Sequence, residues 1–130
     1  MRVLITGSCS WTKTEKVYKR LAFLPEGTTI LHGCAIGVDT IAGKCAELLG
    51  YTVEEYPPKP EEHDGDHGAA CQARNIAMTE ASPDLCIAFW NGKSHGTFHT
   101  MYNAVVRGIP VDVVMEGSGK ALLPGGKSRG

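Results

Sequence analysis

A chain of 130 residues is long enough to bury one core without disulfide or metal staples and suits a single domain. Thirteen Lys and Arg against fourteen Asp and Glu leave a formal charge of −1, so no overall basic field favours nucleic acid or an acidic membrane. No stretch approaches the ~20 apolar residues of a membrane span, and five cysteines (Cys9, Cys34, Cys45, Cys71, Cys86) without a Cys-x-x-Cys pair fit reduced thiols.

The first six residues run straight into a glycine and lack the length and cleavage pattern of a signal peptide, so a cytoplasmic protein is expected. Arg2 to Thr6 reads as a strand, broken by Gly7 and Ser8, and Val17, Leu21 and Leu24 then recur at helical spacing. Thr28 to His32 repeats the strand signal. Apolar positions at 38, 41, 42, 45, 48 and 49 predict a helix over 38–49, stopped by Gly50. Tyr51 to Tyr56 alternates like a half-buried strand, after which PPKPEEHDGDHG, with three prolines and four acids, breaks all regular structure. A short helix follows from about Ala69 to Ala81. Leu85 to Phe89 is the fourth strand and Asn91 to Gly96 a second glycine-bearing loop. Phe98, Met101, Tyr102 and Val105 form a last helical stripe, ended by Gly108 and Pro110, before a fifth strand over Val111 to Met115.

This alternation predicts an α/β fold, a Rossmann-like three-layer sandwich whose five-stranded parallel sheet has the order 3-2-1-4-5, spanning residues 1–115. The tail from Glu116 to Gly130 carries five glycines, Pro124 and three basic residues, and is expected to be flexible or ordered only against a partner subunit. Ligands of such sheets bind beyond the carboxyl ends of the strands, where the strand order reverses. Three loops with small residues converge there: Gly7-Ser8, Gly33 to Gly37, and Gly92 to Gly96.

The stretch HGCAIGVDT (32–40) places two glycines and an aspartate where a strand becomes a helix. It reads as a tight turn or as an anion cradle built from backbone N–H groups at a helix start. In the cradle reading the side chains at 34 to 36 are free to vary, whereas Gly33 and Gly37 must admit the ligand. Asp39 either caps the helix or accepts hydrogen bonds from ribose hydroxyls. Gly7-Ser8 is a turn or a phosphate donor pair, and Trp11 is a core aromatic or a stacking face for a base. Arg74, next to Asn75, is a surface charge or a fork for phosphate. Neither G-x-G-x-x-G nor G-K-S/T occurs in these loops, which disfavours ordinary dinucleotide and triphosphate sites, and no cofactor is expected. His63 to His67 offers two imidazoles and two carboxylates without a recognised metal spacing, and no metal site is assigned. His32 and His95 read as hydrogen-bonding residues, and no G-x-S-x-G elbow supports triad chemistry.

ITGSCSW, HGCAIGVD, ARNIAM, AFWNGKSHGT and RGIPV occur in this order. Together they resemble the SLOG superfamily, specifically its YspA-like branch, over about residues 1 to 115. The resemblance implies a Rossmann-like domain for a nucleotide-derived small molecule, related to lonely-guy phosphoribohydrolases and to DprA-type DNA-binding proteins, and it suggests self-association as a homodimer or higher oligomer. Apolar Met78, Met101 and Tyr102 on the last two helices read either as contacts of such an interface or as core residues. It carries ligand-binding roles to Gly7, Ser8, Gly33, Gly37, Asp39, Arg74, Asn75, Ser94, Gly96 and Thr97; Trp11, Cys34, Ala35 and Gly92, in the same loops, complete the expected ligand-binding set. Two departures stand out. Cys9 replaces the arginine usual after Gly-Ser, and WNGKSHGTFHT replaces P-G-G-x-G-T-x-x-E, so that Thr100 stands where the catalytic glutamate would be. A threonine cannot serve as a carboxylate acid or base. The expectation is therefore a ligand-binding module, the alternative being a hydrolase of an N-glycosidic or phosphate bond that uses Asp39 or a water held by His95. Single-stranded nucleic acid fits the balanced charge poorly.

Overall fold

The computed structural model describes residues 1–117. Five strands, β1 (Arg2–Gly7), β2 (Thr29–His32), β3 (Thr52–Glu55), β4 (Leu85–Trp90) and β5 (Val111–Met115), alternate with helices α1 (Thr14–Leu21), α2 (Val38–Leu49), α3 (His67–Glu80) and α4 (His95–Val106). All pairings are parallel and the order is β3-β2-β1-β4-β5, as the alternation predicts. The loops after β1, β2 and β4 therefore share the carboxyl edge of the sheet.

Strand periodicity divides the core in two. Val3, Ile5, Ile30, Ile87 and Phe89 point to one face, where Val17, Leu21, Val38, Ala42 and Cys45 of α1 and α2 cover them. Leu4, Leu31 and Cys86 point to the other, against Met78 of α3 and Ala104 of α4. A side chain such as Leu4, fully buried, contributes about 1.5–3 kcal/mol by leaving water. Met78, one of the apolar residues open from sequence to a subunit interface, is thus a core residue, in one cluster with Leu4, Leu31 and Cys86.

Local chemistry sets the boundaries. α2 ends where Gly50 enters the left-handed region (φ 79°) and donates its N–H to Glu47 O at 3.1 Å. α3 starts two residues earlier than the apolar pattern indicates, because Asp66 accepts a hydrogen bond from Ala69 N at 3.0 Å. Ser94 does the same for α4 through Thr97 N at 3.3 Å. Leu24 lies beyond the end of α1 yet stays buried. The proline-rich stretch is not wholly irregular: Pro60–Glu62 forms one 3₁₀ turn. Of the expected tail, Glu116 and Gly117 are described and tied down. Lys16 Nζ donates to the carbonyls of Met115 and Gly117 at 2.9 and 2.6 Å, and Glu116 accepts from Thr12 N at 2.7 Å. The rest of the tail lies outside the described residues.

Candidate functional site

The β1–α1 loop is fastened to β4. Gly7 pairs with Phe89, Ser8 N donates to Phe89 O at 3.1 Å, and Ser8 Oγ accepts from Asn91 N at 3.1 Å. Ser8 is buried, so its hydroxyl braces two loops. Trp11 corrects the stacking reading. It is 3% exposed, packs edge-on against Phe89 with ring centroids 5.6 Å apart, and donates Nε1–H to Lys13 O. Neither face is open to a base.

The β2–α2 loop carries a second correction. Asp39 Oδ2 accepts from Gly33 N at 3.0 Å and Ala35 N at 3.2 Å, and Cys34 N donates to His32 Nδ1 at 3.0 Å. Three successive N–H groups of the expected anion cradle are thus already engaged within the loop, and the anion they hold is the chain's own carboxylate. Asp39 makes no cap bond to the helix start. Burial pushes its carboxyl above the usual carboxylate range, opposed by the Ala35 amide, the nearby His32 ring, the Arg74 charge and the Gly33 amide. The glycines are likewise filled from within. A Cβ on Gly37, where φ is +82°, would stand 2.6 Å from Cys9 Cα and from the carbonyls of Ser8 and Cys9. A Cβ on Gly33 would meet the Arg74 side chain, 2.7 Å from Cζ. Cys34 adopts φ +65°, and its thiol is pushed up first by desolvation and then by the Glu55 and Asp39 charges, which makes it a poor nucleophile.

Arg74 is pinned. Its Nη1 donates to Gly33 O and its Nε to Asn75 Oδ1 at 2.8 Å, while Nη2 makes no hydrogen bond among the described residues. It lines a cleft of about 430 Å³ between the end of β3, the 3₁₀ turn and α3, together with Glu55, Tyr56, Lys59, Glu62 and His63. Asn75 is buried and its Nδ2 lies 3.3 Å from His99 Nδ1 on α4.

The β4–α4 loop is organised by its own side chains and open above. Asn91 Oδ1 accepts from Lys93 N and Ser94 N at 2.8 and 2.9 Å, an Asx turn that Gly92 (φ 83°) completes. Thr97 Oγ1 donates to Ser94 Oγ at 2.9 Å and is buried. Above Gly96 nothing among the described residues lies within 4 Å of where a Cβ would be. Thr100 is fully buried and donates its hydroxyl to Gly96 O at 3.2 Å. No carboxylate replaces it on that turn.

Of the residues singled out from sequence, Gly33, Arg74 and Asn75 meet directly. Gly7, Ser8 and Gly37 join the β1 and β2 loops, and Gly92, Ser94, Gly96 and Thr97 form the third loop. Sequence reasoning missed Glu55, Tyr56, Lys59 and Glu62, which line the cleft, together with Asn91 and His99. Asn-Gly followed by Lys-Ser carried the signal for the Asx turn; nothing local marked His99.

No family model matches the chain. In fold it is similar to DNA processing protein A (DprA) from Streptococcus pneumoniae, with a TM-score of 0.75 and 20% identity over 90% of this chain, which spans 51% of that one. It is also similar to the structural-genomics target TM1055, with a TM-score of 0.62 and 18% identity over 85% of this chain and 71% of that one. These likenesses carry the Rossmann-like fold. No helix among the described residues is long and apolar enough to cross a membrane. In sequence the chain is 42% identical over 118 residues to the gene 61 protein of Mycobacterium phage D29, covering 85% of this chain and 93% of that protein. The chain belongs to the family of the mycobacteriophage D29 gene 61 protein.

Proposed function

We propose that this protein binds a phosphorylated, nucleotide-derived small molecule at the carboxyl edge of its sheet, for sensing, delivery or sequestration, without turning it over. The observation that carries this reading is Arg74: a guanidinium held by Gly33 O and Asn75 Oδ1, with Nη2 unengaged among the described residues beside a cleft of about 430 Å³. A cation fixed before the ligand arrives loses little freedom on binding, and its planar fork suits phosphate. The exposed first turn of α4, with Gly96 open to approach, supplies backbone N–H groups at a helix start. In this reading Arg74, Gly92, Ser94, Gly96 and Thr97 face the ligand, while Gly7, Ser8, Gly33, Gly37, Asp39 and Asn75 shape the loops around it. The motif order that resembles the SLOG superfamily, its YspA-like branch included, supports the same ligand class, as does likeness of fold to DprA and TM1055.

Binding without hydrolysis is favoured because Thr100 offers no carboxylate and Asp39 is buried with its Oδ2 on two amides. DprA is by name a DNA processing protein; a net charge of −1 gives this chain no overall basic field to favour a nucleic acid. We also propose that the chain self-associates through α4, whose Phe98, Tyr102, Val105 and Val106 stand exposed on an outer stripe, and that residues 1–115 form one ligand-binding domain. Sedimentation at tens of micromolar tests the first point, with Tyr102→Glu shifting a dimer to monomer.

The ligand reading is tested by thermal shift with AMP, adenosine, NAD and ADP-ribose, each followed by chromatography of the ligand. Stabilisation by AMP over adenosine, with the ligand recovered intact, is the expected result. Arg74→Ala should abolish the difference between the two. Recovery of free adenine or free phosphate would replace binding with hydrolysis.

A further inference from the structure

Arg74 is held by an amide that is itself held from the neighbouring helix. An arginine only donates, so the atom of Asn75 that receives Arg74 Nε at 2.8 Å must be the amide oxygen. The amide nitrogen then faces α4, where it lies 3.3 Å from His99 Nδ1. That nitrogen also only donates. His99 Nδ1 must therefore present a lone pair, and the neutral ring must carry its proton on Nε2. Asn103 Nδ2 lies 3.3 Å from His99 Nε2 as well, but both contacts cannot be hydrogen bonds, because a neutral imidazole has one acceptor nitrogen. Asn103 Nδ2 instead donates to the main-chain carbonyl of His99 at 2.8 Å. The assignment is thus forced from the arginine outward: guanidinium, amide oxygen, amide nitrogen, imidazole lone pair.

The opposite orientation fails at the arginine. Turning the Asn75 amide would set its NH₂ against Arg74 Nε–H, a donor against a donor, even though a His99 ring protonated on Nδ1 could then donate to the amide oxygen. Asn75 is only 6% exposed, so water is a poor substitute for either partner. We infer that His99, in its Nε2–H tautomer, is a positioning residue for the Arg74 guanidinium, acting through Asn75. This rests on the ligand reading for its functional meaning but not for its test. It also gives the α3–α4 interface a role: α4 contributes open N–H groups at its first turn and, one turn later, the acceptor that fixes the cation on α3.

The test begins with the unaltered protein. At about pH 8, where an ordinary imidazole is neutral, ¹⁵N spectra of the His99 ring should show a protonated Nε2 and an unprotonated Nδ1, and Arg74 Nε–H should give a slowly exchanging resonance. A ring protonated on Nδ1 would overturn the inference without any variant. His99→Asn, which sets an amide oxygen close to where Nδ1 stood, should keep the Arg74 resonance. His99→Leu, which has no acceptor, should lose it while the backbone amide spectrum stays that of the folded protein. Persistence of the resonance in His99→Leu would also overturn the inference. A last arm compares AMP affinity in Arg74→Ala and His99→Leu. If both weaken it, His99→Leu by about fivefold, the order of one hydrogen bond, positioning is supported. If Arg74→Ala weakens it and His99→Leu does not, positioning is overturned. If neither does, the ligand reading loses its anchor, and the ring tautomer and the Arg74 resonance decide the positioning role by themselves.

Discussion

The loops after β2 and β4 look alike in sequence and differ in what they hold. Both follow a buried strand, both contain two glycines, and both lead into a 12-residue helix. The first is closed on itself. Asp39 and His32 take the N–H groups of residues 33 to 35, while Cys9 and Arg74 fill the space a Cβ would need at Gly37 and Gly33. The second is braced from below by Asn91 and Ser94 and leaves Gly96 facing open space. A glycine thus serves either the chain's own backbone or an incoming molecule. What fills the missing Cβ position tells the two apart.

Gly37→Val presses hardest on this distinction. The residue would have to hold φ +82° with a β-branched side chain while its Cβ met backbone atoms at 2.6 Å. Backbone strain of about 1–3 kcal/mol and overpacking of about 1–3 kcal/mol together predict a loss of roughly 2–6 kcal/mol by urea denaturation. A variant as stable as the parent would mean that the loop is loose, and would restore the reading in which Gly37 is kept for a ligand.

Asp39 sharpens the same point with a smaller effect. Asp39→Ala leaves the Gly33 and Ala35 amides without their acceptor and should cost about 2–4 kcal/mol. Asp39→Asn retains an oxygen able to accept both and removes a buried charge, so it should lie within about 1 kcal/mol of the parent. The pH dependence separates these cases. Burial raises the folded-state pKa of Asp39, so its contribution to stability is fully present below the ordinary aspartate range and is lost as pH rises through the folded value. Relative to the parent, Asp39→Asn should therefore improve as pH rises above about 4. A difference independent of pH would show that the carboxylate is not desolvated.

The fold was legible because its signals are local and periodic. Apolar residues at 38, 42, 45 and 49 followed by Gly50 bound α2 to the residue, and the short apolar run at 111–115 could only be a strand. Helix starts were less legible where capping preceded the apolar stripe, as Asp66 and Ser94 do. In the site, Arg74 stood out by residue type, but Asn75 and His99, 24 positions apart, meet only because α3 packs on α4. Trp11 and Met78 show the converse: an aromatic or a methionine near a loop or on a helix looks like a contact residue until the core needs its volume. That Gly33 and Gly37 tolerate no side chain was readable. That the obstacles are Arg74 and Cys9 was not, because both come from other parts of the chain.

Gly96→Ala turns the comparison to the open loop. With nothing within 4 Å of the new Cβ, the fold should accept it and gain up to about 0.5–1 kcal/mol from the better helix former. AMP affinity should fall about fivefold, the equivalent of one hydrogen bond of about 1 kcal/mol. Thermal unfolding and calorimetry on one preparation read both effects. A gain in stability with unchanged affinity would make Gly96 as indifferent to ligand as Gly37.

The smallest effect guards the Asp39 measurement against confusion with an unrelated acid. Glu54 on β3 receives Arg2 Nη2 at 2.8 Å and the Tyr56 hydroxyl at 2.6 Å, and these bonds, Arg2 first, bring its pKa down to about 2. The sign is opposite to that of Asp39. A depressed carboxyl contributes stability above its unfolded value of about 4.3 and loses it as pH falls through the folded value. The pair is part-exposed, with Arg2 and Glu54 side chains at 36% and 40%, so solvent screening limits the contribution to about 0.5–1 kcal/mol. Glu54→Gln should therefore be less stable than the parent by that amount near pH 6 and converge on it as pH falls from about 4 toward 2, whereas Asp39→Asn diverges only above about 4. Denaturation curves of both variants over this range keep the two carboxylates apart. Convergence of Glu54→Gln on the alkaline side instead would mean that the Arg2 pair is too mobile to hold its charge, and the acid limb would need another carboxylate.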